Sequence, residues 1–113
     1  MRPLLLIALA GAALPAFASD AAKPFAVTLA PGKIHEECLR LDGGTKSKYH
    51  WKSNAPVDFN IHYHRDTEVF YPVKRDGMRG DGGTFNAKAA EEYCWMWTAR
   101  NAPAKVEGRI EAK

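Results

Sequence analysis

An antiparallel β-sandwich is the fold class this chain predicts, and three observations carry it. Short runs of alternating apolar and polar residues recur between turn signals. No stretch has the length and periodicity of an amphipathic helix. Two cysteines, Cys38 and Cys94, stand far apart in a chain with no others. Seven or eight short strands in one disulfide-bonded domain are therefore expected.

At the N-terminus, Arg2 precedes an apolar run from Leu4 to Leu14, Pro15 breaks it, and Ala16, Phe17, Ala18 sets small residues at the two positions a signal peptidase reads. Residues 1–18 read as a signal peptide cut after Ala18, giving a periplasmic or secreted protein. The competing reading, a membrane anchor, needs about 20 apolar residues, more than this run supplies before Ser19 and Asp20. No other segment is apolar enough to span a bilayer, so no membrane span is expected in the mature chain. Removing 18 of 113 residues leaves 95, enough for one domain with a thin core. Arg2 is the one charge lost with them, so 15 basic and 13 acidic side chains leave a net charge of +2. The charges are interspersed, with no like-charge run beyond Lys74, Arg75, which argues against a nucleic-acid partner.

Residues 19–23 read as a disordered lead and 24–111 as the domain. Phe25 to Leu29 is β-prone and ends at Pro31, Gly32. Ile34 to Leu41 follows and closes at Asp42, Gly43, Gly44. Ser47 to Lys52 is the return strand, with Tyr49 and Trp51 on one face and Lys48, His50 and Lys52 on the other. Ser53 to Pro56 reads as a turn. In the next strand Phe59, Ile61 and Tyr63 alternate with Asn60, His62 and His64, and a short turn at Arg65, Asp66 leads into Thr67 to Val73. Lys74 to Gly83 is so rich in Gly and Asp that it reads as a surface loop. Thr84 to Ala87 is a short strand, and Lys88 to Glu92 is one helical turn or an approach to the next strand. Tyr93 to Thr98 is apolar on both faces, as a central strand would be. Lys105 to Ile110 alternates strictly and closes the domain.

An oxidising compartment favours a Cys38–Cys94 bridge. The alternative is a thiol pair acting on metal or redox partners, but the cysteines lack the Cys-x-x-Cys spacing of redox thiols.

The early Cys38, the strand Val57, Asp58, Phe59, Asn60, Ile61, the late Tyr93, Cys94 pair and Asn101 downstream together resemble the GOLD domain, the lumenal β-sandwich of the p24 cargo-receptor family. That resemblance implies a bridged cysteine pair. The p24 sorting role is not expected here, because no coiled coil, transmembrane helix or cytoplasmic tail follows. The HYH and CWMW stretches also look like those of small exported bacterial proteins, which implies a periplasmic location.

Chemistry concentrates on the face carrying His62 and His64. At i and i+2 of a strand their rings leave the same face about 6–7 Å apart, a spacing at which two imidazoles can share one ion. His50 is a candidate third ligand and Glu68 a candidate carboxylate. Neutral imidazole suits copper or zinc, and Met78 or Met96 would favour Cu(I). The competing reading is a polar face whose histidines bond Asn60 or solvent. Trp51, Trp95, Trp97 and Tyr93 read first as core; the other reading makes Asn60, Trp51 and Trp97 a ligand surface. Arg79, Gly80, Asp81 has the composition of a turn, and Asp76 and Asp81 lack calcium-loop spacing. No hydrolase, zinc-protease or phosphate-loop motif occurs. The expected function is a non-enzymatic periplasmic binding or interaction module for a protein or small ligand. The alternative is a small copper or zinc binding protein built on the histidine pair.

Overall fold

The structure, a computed structural model, describes residues 22–111; the expected signal peptide, its cleavage site and the start of the lead lie outside them. Six strands form: β1 (Ala22–Leu29), β2 (Ile34–Leu41), β3 (Lys46–Arg65), β4 (Glu68–Asn86), β5 (Glu91–Ala99) and β6 (Ala104–Glu111). All pairings are antiparallel within one sheet of order β1-β6-β3-β5-β2, with β4 along the other edge of β3.

The count is six rather than seven or eight because two pairs of expected short strands are each one long strand. Ser53 to Pro56 is not a turn but an irregular stretch inside β3, where the register with β4 passes from Lys52 opposite Gly80 to Val57 opposite Met78. Ser53 holds this stretch locally, its hydroxyl donating to the Ala55 carbonyl at 2.6 Å. Lys74 to Gly83 is not a loop but the middle of β4. Its glycines serve close approach: a Cβ on Gly80 would stand 3.0 Å from the Trp51 carbonyl oxygen, and one on Gly82 would stand 3.1 Å from that of Tyr49. Gly77, at φ +67°, forms a bulge whose N–H donates to Asp58 Oδ1 at 2.9 Å. Between β3 and β4, Asp66 at φ 57° makes the two-residue turn, a conformation Asp tolerates better than most side chains.

The irregular stretch in β3 is also the corner of the fold. Before it, Tyr49 to Ser53 pair with β6; after it, Val57 to His62 pair with β5. The sheet therefore curls into a half-barrel whose ends face each other across the core. Trp95, Trp97, Phe59, Ile61, Val57, Val106 and Ile110 are fully buried there. Trp97 lies 4.4 Å from the ring of Phe25 in β1, 5.5 Å from Phe59 and 6.2 Å, edge-on, from Trp51. Contacts of this kind add about 0.5–1.5 kcal/mol each beyond burial. Lys23 of β1 and Glu37 of β2, 3.3 Å apart, link the two ends of the β1-β6-β3-β5-β2 path.

Cys38 and Cys94 are bridged, directly opposite each other in the β2–β5 ladder. Among the described residues no helix is long and apolar enough to cross a membrane.

Candidate functional site

The alternation of β3 places Asn60, His62 and His64 on the convex face, behind the core residues Phe59, Ile61 and Tyr63. Convex does not mean wet. Asn60 and His62 are 6% and 4% exposed, and only His64 is open to solvent. Neighbours supply the cover: Glu36 reaches in from β2, the Tyr71 ring of β4 lies 5.8 Å from that of His62, and His64 stands edge-on at 5.2 Å.

Both ring nitrogens of His62 face oxygen. Nδ1–H donates to Asn60 Oδ1 at 2.7 Å, and Nε2 faces Glu36 Oε1 at 3.3 Å. Burial pushes the imidazole below its ordinary value of 6.5. Glu36 opposes that shift by raising it, and His64 adds a smaller downward push. In the neutral form Nε2 is therefore a bare lone pair aimed at a carboxylate.

The other expected site residues lie elsewhere. His50 is twelve positions back along β3, beyond the corner, paired with Gly82 on one side and Arg109 on the other. Glu68 sits opposite Arg65 at the β3–β4 turn, one position out of phase with the His64–Val69 pair, so its side chain leaves the opposite face. Trp51 and Trp97 are 4% and 0% exposed, in the core rather than on a ligand surface. The carboxylate beside His62 is Glu36, which sequence reasoning missed. Strand parity puts Glu36 on the same face as Cys38, but its reach to His62 depends on the β2–β5–β3 register.

A second feature occupies the concave face near the β3–β4 turn. Tyr63, Phe70, Pro72, Val73, Phe85 and Tyr93 line an open groove of about 530 Å³. Tyr63 stacks on Phe70 at 5.1 Å and meets Tyr93 edge-on at 5.3 Å, and Phe85 packs against Tyr93 at 4.9 Å. Arg65 lies over the Tyr63 and Phe70 rings at 5.5 and 5.7 Å while bonded to Glu91 at 2.8 Å, and Lys88 stands at the rim. Tyr71, half exposed, borders the groove, but its ring lies on the His62 side of the sheet, with the Lys74 ammonium 5.9 Å from it. In the sequence this groove was hidden, since Tyr63 and Phe70 carry the same alternation as core residues.

No protein-family model matches the chain, and no curated protein does. Solved structures share its fold. The pre-peptidase C-terminal domain of a collagenase from Bacillus anthracis is 13% identical, with a TM-score of 0.61 over 79% of this chain and 88% of that one. PliG, a periplasmic inhibitor of g-type lysozyme, is similar in its Salmonella Typhimurium form (TM-score 0.54, 13% identity) and its Aeromonas hydrophila form (0.52, 12%). Each covers 80% of this chain and 86% of its own. At these identities the likeness is one of fold: a small all-β domain.

Proposed function

We propose that this chain is an exported, non-enzymatic interaction module that holds an extended segment of a partner protein in the concave aromatic groove. The groove carries the reading. The half-buried Tyr63 and Phe70 rings, held by stacking on each other and against buried Tyr93, lose little entropy on binding, and the cations Arg65 and Lys88 beside them favour a segment with acidic residues beside its apolar anchors. Among the described residues β4 pairs with β3 alone, so an extended segment can lie against its outer edge.

The side chains most often used as nucleophiles are engaged. Ser47 donates to the Glu111 carbonyl and Ser53 to that of Ala55, and no cysteine of the described residues is free. The disulfide suits an oxidising compartment, and the signal peptide expected in residues 1–18 would deliver the chain there. Two of the fold neighbours are by description inhibitors of a lysozyme and one is a pre-peptidase domain, which suits a module that binds rather than catalyses. The GOLD-type resemblance points the same way, without the p24 sorting role.

Site-specific photo-cross-linking in the native compartment tests the proposal. A cross-linking residue at Pro72 or Lys88 should give a discrete protein adduct that Phe70→Asp abolishes, whereas the same residue at His50 should give none. Adducts of equal yield at all three positions, or adducts indifferent to Phe70→Asp, would refute it.

A further inference from the structure

We infer that the outer face of β3, between β4 and β6, docks an acidic polysaccharide, a hydroxyl-rich chain with carboxylates at intervals. The inference does not depend on the groove reading, since the groove lies on the concave face at the β3–β4 turn.

Strand alternation gathers charge that the sequence disperses. Lys46 to Lys52 contains no run of like charge, yet its outward positions are Lys46, Lys48, His50 and Lys52 in succession, all exposed. Alternate positions on a strand lie about 6.8 Å apart, so the row is about 20 Å long. β6 pairs with this part of β3 and adds Lys105 and Arg109, with Glu107 and Glu111 as the acids of the face. Arg2, Lys113 and Asp20 aside, the chain has 14 basic and 12 acidic side chains, a net +2; five and two of them stand here, a net +3. The positive excess of residues 22–111 is therefore concentrated on this face, and the remainder carries a net −1. Among the described residues Lys52 is paired with Glu107 at 3.1 Å, while Lys46, Lys48, Lys105 and Arg109 make no ion pair. A row of cations left without counter-charges attracts an anionic chain.

The relief of the face suits a chain lying along it. On one flank β4 sets Gly82 opposite His50 and Gly80 opposite Lys52, so no side chain rises beside that half of the row. A Cβ on Gly82 would stand 3.3 Å from His50 Cβ, which places the missing side chain on this face. On the other flank two clefts open. One of about 470 Å³ crosses β1, β6 and β3 beside His50, Lys52, Glu107 and Arg109; the second, of about 310 Å³, shares Lys52 and Glu107 with it and reaches Asn54 and Lys105.

The same residues select sugar over other polyanions. Bases of a single-stranded nucleic acid stack on exposed aromatic rings, and the outward positions of β3, β4 and β6 here hold no Phe, Tyr or Trp. Ile34, Val69 and Tyr71, the exposed large apolar side chains of the described residues, lie outside this face, so nothing on it inserts into a bilayer. Glu107, shared by both clefts, repels a chain charged at every unit but accepts hydrogen bonds from hydroxyl groups. Asn54 Oδ1 accepts the Lys105 N–H at 2.8 Å, which leaves the Asn54 amide NH2 to donate. Cations, a carboxylate and an amide together match hydroxyls with intermittent carboxylates.

The test uses the purified protein with its disulfide intact and polygalacturonate as the ligand in isothermal titration. Polygalacturonate should bind, and dextran, a neutral chain of similar hydroxyl content, should not. Binding should weaken steeply between low salt and about 0.15 M, where the screening length is about 8 Å. Lys48→Gln combined with Lys52→Gln should weaken it about fivefold or more, the scale of two exposed charge contacts. Lys33→Gln combined with Arg40→Gln removes the same charge from exposed positions off this face and should leave the affinity within about twofold, because distant exposed charges are screened. Phe70→Asp, which removes the groove adduct, should also leave it within about twofold for the same reason, so the two readings fail separately. Melting curves confirm that each variant keeps its fold. No binding, equal binding of dextran, equal losses in the two double variants, or tighter binding of inorganic polyphosphate, oligothymidylate or phosphatidylglycerol vesicles at matched charge would overturn the inference.

Discussion

Removing the Cys38–Cys94 bridge should cost a large share of the stability this small domain has. The bridge closes a loop with a sequence separation of 56 residues. In the chain-entropy account, a loop of that size restricts the unfolded chain by about 4 kcal/mol, against a total of roughly 5–15 kcal/mol for a domain of ordinary stability. The native side adds a local reason. β2 pairs with β5 alone, so the bridge ties an edge strand to the strand that carries Trp95 and Trp97. The double substitution Cys38→Ala with Cys94→Ala should lower the unfolding free energy in urea by about 4 kcal/mol. At about 4–8 °C per kcal/mol for a domain of this size, the melting midpoint should fall by roughly 16–32 °C. Tryptophan fluorescence follows the transition, since Trp95 and Trp97 are fully buried. The parent protein reduced by a dithiol is the control. If the cross-link itself is responsible, reduced parent and double variant should agree within about 1 kcal/mol, because neither changes the core packing. A loss under about 1.5 kcal/mol, or a variant much less stable than the reduced parent, would show that the loop-entropy reasoning is wrong here.

Three further outcomes follow from the packing of the core and the sheet. Gly108→Ala should destabilise by about 1–3 kcal/mol or more, because a Cβ there would meet the His50 carbonyl oxygen and stand 2.7 Å from Trp51 Cβ and 2.8 Å from its Cα, atoms that cannot swing away; a urea midpoint equal to the parent's would contradict it. Trp97→Ala should cost about 3–5 kcal/mol, since the ring is fully buried and shared by β1, β3 and β5; a smaller loss in the same titration would mean the core closes around the gap. Burial first, and Asp81 second, raise the Tyr49 phenol above its ordinary 10.0 against a lowering by Arg75. The folded state therefore holds that proton more tightly, and stability should fall as pH rises past about 10; Tyr49→Phe should flatten the slope, and an unaltered slope would exclude Tyr49 as its source.

The elements whose burial follows from their own residues were legible in the sequence. β2 runs from Ile34 to Leu41 as its flanking turns imply, β6 alternates as expected, and Tyr93, Trp95 and Trp97 share the buried face of β5. The errors came where glycine and proline were taken as punctuation. Gly80 and Gly82 do not end a strand; they are small because β3 passes close by. Pro56 does not stop β3, because it falls in the irregular stretch where the strand changes neighbours and little regular pairing is required of it. Two long strands with bulges bury the same residues as four short ones with turns, and local composition does not distinguish them.

The convex face shows where sequence reasoning stops for the candidate site. Alternation assigns parity, so placing Phe59, Ile61 and Tyr63 inward forces Asn60, His62 and His64 outward. Parity says nothing about cover, which depends on what adjacent strands place over a residue. Here cover depends on two registers that no local pattern encodes. Pairing of Cys38 with Cys94 and of Cys94 with His62 brings Glu36 within reach of the ring, and the shift between Ile61 and Tyr63 in the β3–β4 ladder sets Tyr71 beside it. The same shift leaves His64, two residues on, exposed. One histidine is thus buried, oriented by Asn60 and faced by a carboxylate, while the other is open to solvent. An inward-facing slip of β3 by one residue would exchange both histidines with Ile61 and Tyr63 and bury imidazoles among tryptophans, so the core that fixes the register also fixes the geometry of the site.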